Sequence, residues 1–116
     1  MKIFLDDERG RPPGWILAEN VTDLEKCIFL LGDEVEEISL DNDLGEDEEE
    51  GKDFLKRMEE FIHFNNNYVP PIIHIHTANT VASKQMVQMR ESIQRTLDER
   101  GVYKNIIGTT TFGFKY

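Results

Sequence analysis

Short apolar runs, each ending in a polar cluster and separated by stretches with helical spacing, constrain this chain more than any other feature. Lys2-Ile3-Phe4-Leu5 runs into Asp6-Asp7-Glu8-Arg9, and Glu37-Ile38-Ser39-Leu40 runs into Asp41-Asn42-Asp43-Leu44-Gly45. Pro71-Ile72-Ile73-His74-Ile75 runs into His76-Thr77-Ala78-Asn79. Apolar runs of about four residues followed by helical patterns read as buried parallel strands. The expectation is therefore an α/β domain with its strands side by side in one sheet. In such sheets ligands bind beyond the carboxyl ends of the strands, so these clusters should share one polar site.

The rest of the chain fits that frame. Lys2–Leu5 is the first strand, and the segment holding Arg11-Pro12-Pro13-Gly14 is too short and proline-rich for a helix. Trp15–Ala18 is the next strand, so the first crossover lacks its helix. Thr22-Asp23-Leu24-Glu25 has the form of a capping box, with Thr22 as the N-cap. Leu24, Cys27, Ile28 and Leu31 follow at helical spacing, and Gly32 is a stop. A second helix from Lys52 to Phe64 should bury Phe54, Leu55, Met58, Phe61 and Ile62, after a solvated acidic loop at Glu46–Glu50. A third, from Val81 to Arg100, carries Met86, Met89, Ile93 and Leu97 as a core stripe. Asn105-Ile106-Ile107-Gly108 begins strand five.

A length of 116 residues suits a single domain spanning residues 1–116, with one core. A net charge of −10 disfavours broad binding to a nucleic-acid backbone but leaves room for a small phosphate ligand held with a cation. Cys27 is the single cysteine, which excludes an internal disulfide and a thiolate zinc cage. No apolar stretch approaches the roughly 18 residues of a membrane span, and the N-terminus is not signal-like. The expected setting is a soluble, cytoplasmic domain with no membrane partner.

The strand ends carry the chemistry. Asp6 and Asp7 are adjacent and converge on one ion only if the chain leaves the strand there. Asp41 and Asp43, two apart, would share a face or line the rim of the same loop. Several carboxylates in one place need a cation to stay ionised, and oxygen ligands suit Mg²⁺ or Mn²⁺. The metal ligands expected are Asp6, Asp7 and Asp41. His76 at the mouth of strand four is a candidate general acid or base, phosphate ligand or metal ligand, whereas His74, deeper in the strand, takes a structural role more naturally. Thr77, Asn79 and Arg9 are candidate phosphate contacts, with Asn79 also placed to cap the third helix and Lys84 a weaker addition. Asp41-Asn42-Asp43 begins like a calcium loop, but Gly45 falls too early and Lys52 stands where the closing glutamate belongs. No serine or cysteine shows a histidine partner from sequence.

Taken together, Leu5-Asp6-Asp7-Glu8-Arg9, Pro13-Gly14-Trp15, Ser39-Leu40-Asp41-Asn42-Asp43-Leu44-Gly45 and Ile75-His76-Thr77-Ala78-Asn79-Thr80-Val81 resemble the cyclic-phosphate-processing receiver-like domains, relatives of the response-regulator receivers. The resemblance implies a receiver-like (flavodoxin-like) three-layer sandwich with a mostly parallel five-stranded sheet. It also implies a metal-bound acidic pocket and action on cyclic phosphates. Asp6, Asp7 and Asp41 match the receiver acidic pocket, with Asp41 at the phosphoacceptor position, and Thr77 matches the receiver hydroxyl. Asn42 replaces a histidine often found between the two aspartates, Thr77 a serine, Thr80 a proline and Ala82 a glycine. The lysine that receivers carry at the end of strand five is not evident; Lys104 precedes that strand.

The leading expectation is a Mg²⁺-dependent phosphoesterase acting on a cyclic nucleotide or the 2′,3′-cyclic end of an RNA, with Asp41, Asp43 and His76 as its catalytic residues. A second is a non-catalytic module whose pocket binds a phosphorylated or cyclic nucleotide or accepts a phosphoryl group. A third is a structural partner protein. The Phe112-Gly113-Phe114 segment fits an edge strand or a partner surface.

Overall fold

The structure is a computed structural model that describes residues 1–8 and 10–111. Its strands are β1 (Lys2–Leu5), β2 (Trp15–Ala18), β3 (Glu37–Leu40), β4 (Ile72–His76) and β5 (Ile107–Thr111). Its helices are α1 (Val21–Leu31), α2 (Gly51–Phe64) and α3 (Thr80–Glu99). The strands form one sheet in the order β2-β1-β3-β4-β5, every pair parallel. That is the flavodoxin-like order, and it makes the sheet wholly parallel where a mostly parallel one was expected.

The links β2-α1-β3, β3-α2-β4 and β4-α3-β5 all step the same way across the sheet, so right-handed crossovers place all three helices on one face. The core agrees: Ile3, Leu5, Ile38, Leu40, Ile73 and Ile75, alternate residues of three strands, pack with Leu24, Leu55, Met86 and Ile93 from the helices. The β1–β2 link steps the other way and holds no helix among the described residues. The second helical layer of a three-layer sandwich would lie there, on the face that carries Phe4, Ser39, His74 and His76. No helix among the described residues is long and apolar enough to cross a membrane.

Several local expectations need adjustment. The N-cap of α1 is Asn20, whose side chain accepts from the Asp23 N–H at 2.8 Å; Thr22 lies inside the first turn because Val21 is already buried against the core. Gly32 ends α1 with φ 52°, a conformation that favours glycine. Glu50 belongs to α2 rather than to a solvated loop, closing a capping box with Asp53. Phe61 is 50% exposed, not core. β5 begins at Ile107 because the Ile106 N–H is taken by the Gln94 side chain at 2.8 Å. A register shift then interrupts the β4–β5 ladder, and buried Arg90 bridges it by donating to the Ile73 and Thr109 carbonyls at 2.9 and 3.2 Å. Burial pushes the Arg90 guanidinium below its ordinary pKa.

Candidate functional site

Parallel pairing brings every strand's carboxyl end to one edge of the sheet, and the acidic clusters meet there. Asp6 and Asp41 continue the strand ladders by one bond each, Asp6 N–H to the Ala18 carbonyl and Asp41 N–H to the Leu5 carbonyl, both at 3.0 Å. Their side chains turn inward and are 2% and 3% exposed. The Glu8 N–H donates to Asp6 Oδ1 at 2.9 Å and the Asn42 N–H to Asp41 Oδ1 at 2.8 Å, fixing both carboxylates. Asp6, Asp41 and His76 each offer one ligand atom, and these three atoms lie within 4.8 Å of one another. Asp7 is exposed and stands outside that group, with its carboxylate beside Gly45.

His76 is the last residue of β4 and is 5% exposed. Its Nε2 lies 3.2 Å from Asp6 Oδ2, and its Nδ1 lies 2.7 Å from Ser39 Oγ. The ring stacks on Phe4 with centroids 4.0 Å apart and planes 10° from parallel. Ser39 is thus the histidine partner that the sequence did not reveal. The signal was there in part: Ser39 has the parity of His74 and His76 relative to the paired register, so all three face the same side of the sheet.

His74 is structural, as expected. The Thr109 N–H donates to its Nδ1 at 2.9 Å, so the proton sits on Nε2, which donates to Glu37 Oε1 at 2.7 Å. That bond, chiefly, with Lys2 adding to it, holds the Glu37 carboxyl below the ordinary carboxylate range.

Thr77 is buried, and its Oγ1 accepts from the Asn79 N–H at 3.1 Å. Asn79 caps α3 by accepting from the Ala82 N–H at 3.0 Å, and its Nδ2 donates to Asp43 Oδ1 at 3.4 Å. It therefore links the helix cap to the acidic rim, where Asp43 is exposed. Asn42 faces away from the three converging groups. Its Nδ2 donates to Asp43 at 3.0 Å and to Glu50 at 2.8 Å, and its Oδ1 accepts from the Lys52 N–H at 3.1 Å. The residue that departs from the family's histidine is thus a latch holding the acidic loop to α2.

Lys84 is exposed on α3. Lys104 donates to the Pro70 carbonyl at 2.7 Å, before β4 begins and so at the opposite edge of the sheet, where it cannot play the receiver lysine's part. Arg9 and the Phe112–Phe114 segment lie outside the described residues.

No curated protein and no solved structure matches the chain. The family described as the cyclic-phosphate processing receiver domain matches residues 1–92, from β1 into α3 and through every strand end that lines the pocket. With its receiver-like sheet order and its acidic pocket at the edge where the strands end, the chain belongs to the cyclic-phosphate processing receiver domains.

Proposed function

We propose that this pocket hydrolyses a cyclic phosphate, either a cyclic nucleotide or the 2′,3′-cyclic end of an RNA, with Mg²⁺ or Mn²⁺ as cofactor. The observation that carries the reading is the convergence of Asp6, Asp41 and His76, all buried, at the strand-end edge of a cyclic-phosphate family fold.

The donor set fits a divalent ion. Two carboxylates held close together and out of water are costly without a compensating positive charge, and carboxylate oxygens suit hard cations. Asp6 and Asp41 would hold the ion, with Asp7 completing its shell from the rim. When bound, the ion supplies positive charge that polarises the phosphoryl group.

The chain's own residues do the rest. Asp43, exposed at the rim, accepts a proton from the attacking water. A bond forms between the water oxygen and phosphorus as one ester P–O bond breaks. His76 gives the proton that the departing oxygen takes up, its ring held by Ser39 and Phe4 so that Nε2 keeps its direction. Thr77 and the Asn79 amide, which can exchange its long bond to Asp43, hold non-bridging oxygens.

Incubation with a panel of 2′,3′- and 3′,5′-cyclic phosphates, in Mg²⁺, Mn²⁺ or chelator, tests the reading. Metal-dependent opening of one class is expected, and it should be absent in Asp41→Ala and His76→Ala. Recovery of every substrate intact would overturn it, and saturable binding without turnover would assign the pocket to a binding module instead.

A further inference from the structure

Helical periodicity cannot direct five consecutive apolar residues into one core, and α1 contains such a run, Cys27-Ile28-Phe29-Leu30-Leu31. Leu24 is buried one turn earlier, which turns Phe29 outward; its side chain is 87% exposed. On α2, Phe61 is half exposed and Phe64 is 80% exposed. These side chains come together. A groove of about 630 Å³ runs between the two helices, lined by Ile28 and Phe29 on one side and Met58, Phe61 and Phe64 on the other. Tyr68 packs edge-on against Phe61 at 5.1 Å and also lines the groove.

Large aromatic side chains gathered in one exposed groove mark an interaction site rather than scattered surface residues. The charge around the groove selects the occupant. Glu25 and Glu60 stand on its rim, and Arg57, the basic residue among them, is already bonded to both Glu25 and Glu49. The rim is therefore net acidic, on a chain whose charge is −10. A second copy docked by a two-fold axis would set this acidic rim against itself. A cationic partner would not. A groove between two helices also suits a third, whose apolar residues at i, i+3/i+4 and i+7 enter it while its flanks meet the rim.

We propose that the α1–α2 groove binds a basic amphipathic helix of a partner protein. Phe29, Phe61 and Phe64 form the apolar contact, and Glu60 engages lysine or arginine on the helix's flank while Glu25 holds Arg57. This docking surface is separate from the strand-end pocket and does not depend on what that pocket does.

The test uses a fluorescein-labelled synthetic helix with Leu and Phe on one face and Lys on the others. Its comparisons are a scrambled peptide of the same composition and a version with Glu in place of Lys. Fluorescence anisotropy should show saturable binding of the first peptide to the intact chain, about tenfold or more weaker for the other two, a difference of roughly 1.4 kcal/mol. Phe29→Ser and Phe64→Ser, both on exposed positions, should each weaken binding to a similar extent. No binding, equal binding of the scrambled peptide, or equal binding by the serine variants would overturn the proposal, since only bulk charge would then remain. A dimer in sedimentation that Phe64→Ser dissolves would overturn it in favour of a second copy.

Discussion

His76 depends on its neighbours for its direction. Ser39 holds Nδ1, Asp6 faces Nε2, and Phe4 lies flat beneath the ring. Ser39→Ala leaves a buried nitrogen without its partner, which costs about 1–3 kcal/mol. Ser39→Thr, which keeps the hydroxyl, should recover most of that loss. Urea denaturation of the two variants reads this directly, and equal stability of alanine variant and parent would mean the bond contributes nothing. On the same face Glu37 predicts a pH dependence. Its carboxyl is held below its ordinary value of 4.5 by the bond from His74 first and by Lys2 after it, against the opposing effect of burial. A depressed pKa contributes stability that is fully present above the unfolded value and is lost as pH falls through the folded one. Glu37→Gln should therefore lower the unfolding midpoint at pH 7, and the gap from the parent should close as pH drops below about 4.5. A gap that stays constant down to pH 3 would show that the His74–Glu37 bond does not couple to protonation.

The start of α2 is where an element sets the site. Gly51 sits so close to the end of β3 that a Cβ there would fall 1.9 Å from the Asp41 carbonyl oxygen. Alanine favours helices over glycine by about 1 kcal/mol, but here the clash wins, because backbone cannot give way as a side-chain tip can. Gly51→Ala should cost about 1–3 kcal/mol net and displace Asp41, whereas Lys52→Ala one position on should be nearly neutral. Comparing the two by thermal unfolding separates crowding from any general effect of altering the helix end. At this scale the sequence was most readable. The strands, the helices and a first crossover without a helix among the described residues follow from apolar runs, spacing and proline content, and all are local signals. What escaped it depends on contacts between distant segments. Ser39 meets His76 only because β3 and β4 pair in one register, and no pattern within either strand announces that. Phe61 has the spacing of a core residue, yet it stays half exposed, with Tyr68 packed edge-on against it, because it lines the groove between α1 and α2. The Asn42 side chain turns toward α2 because Glu50 and the Lys52 N–H are there to receive it, a preference that opens only once the loop has closed.

For the whole molecule, the decisive property is that a parallel sheet gathers all its carboxyl ends at one edge. A chain with 23 acidic and 13 basic residues then concentrates negative charge at the edge where Asp6 and Asp41 are buried and Asp7 and Asp43 are exposed, with the exposed acids of residues 46–49 close by in sequence. Any salt screens such charge, over a distance of about 10 Å at 0.1 M ionic strength. A bound divalent ion does something different: it stabilises the folded chain by mass action, by roughly 2.7 kcal/mol at about one hundred times its dissociation constant. The two effects separate when Mg²⁺ or Mn²⁺ is compared with NaCl at matched ionic strength. The divalent ions should raise the melting temperature by several degrees beyond NaCl, and chelator should reverse the gain. Asp6→Asn and Asp41→Asn should lose the divalent-specific part while keeping the response to NaCl. Asp47→Asn serves as the control, because it removes the same charge from the acidic loop at a position whose φ of 64° asparagine accepts readily. It should keep the full divalent gain. If Asp47→Asn loses as much as Asp41→Asn, the ions are screening a diffuse field; if only the pocket variants lose it, the strand ends hold a cation site.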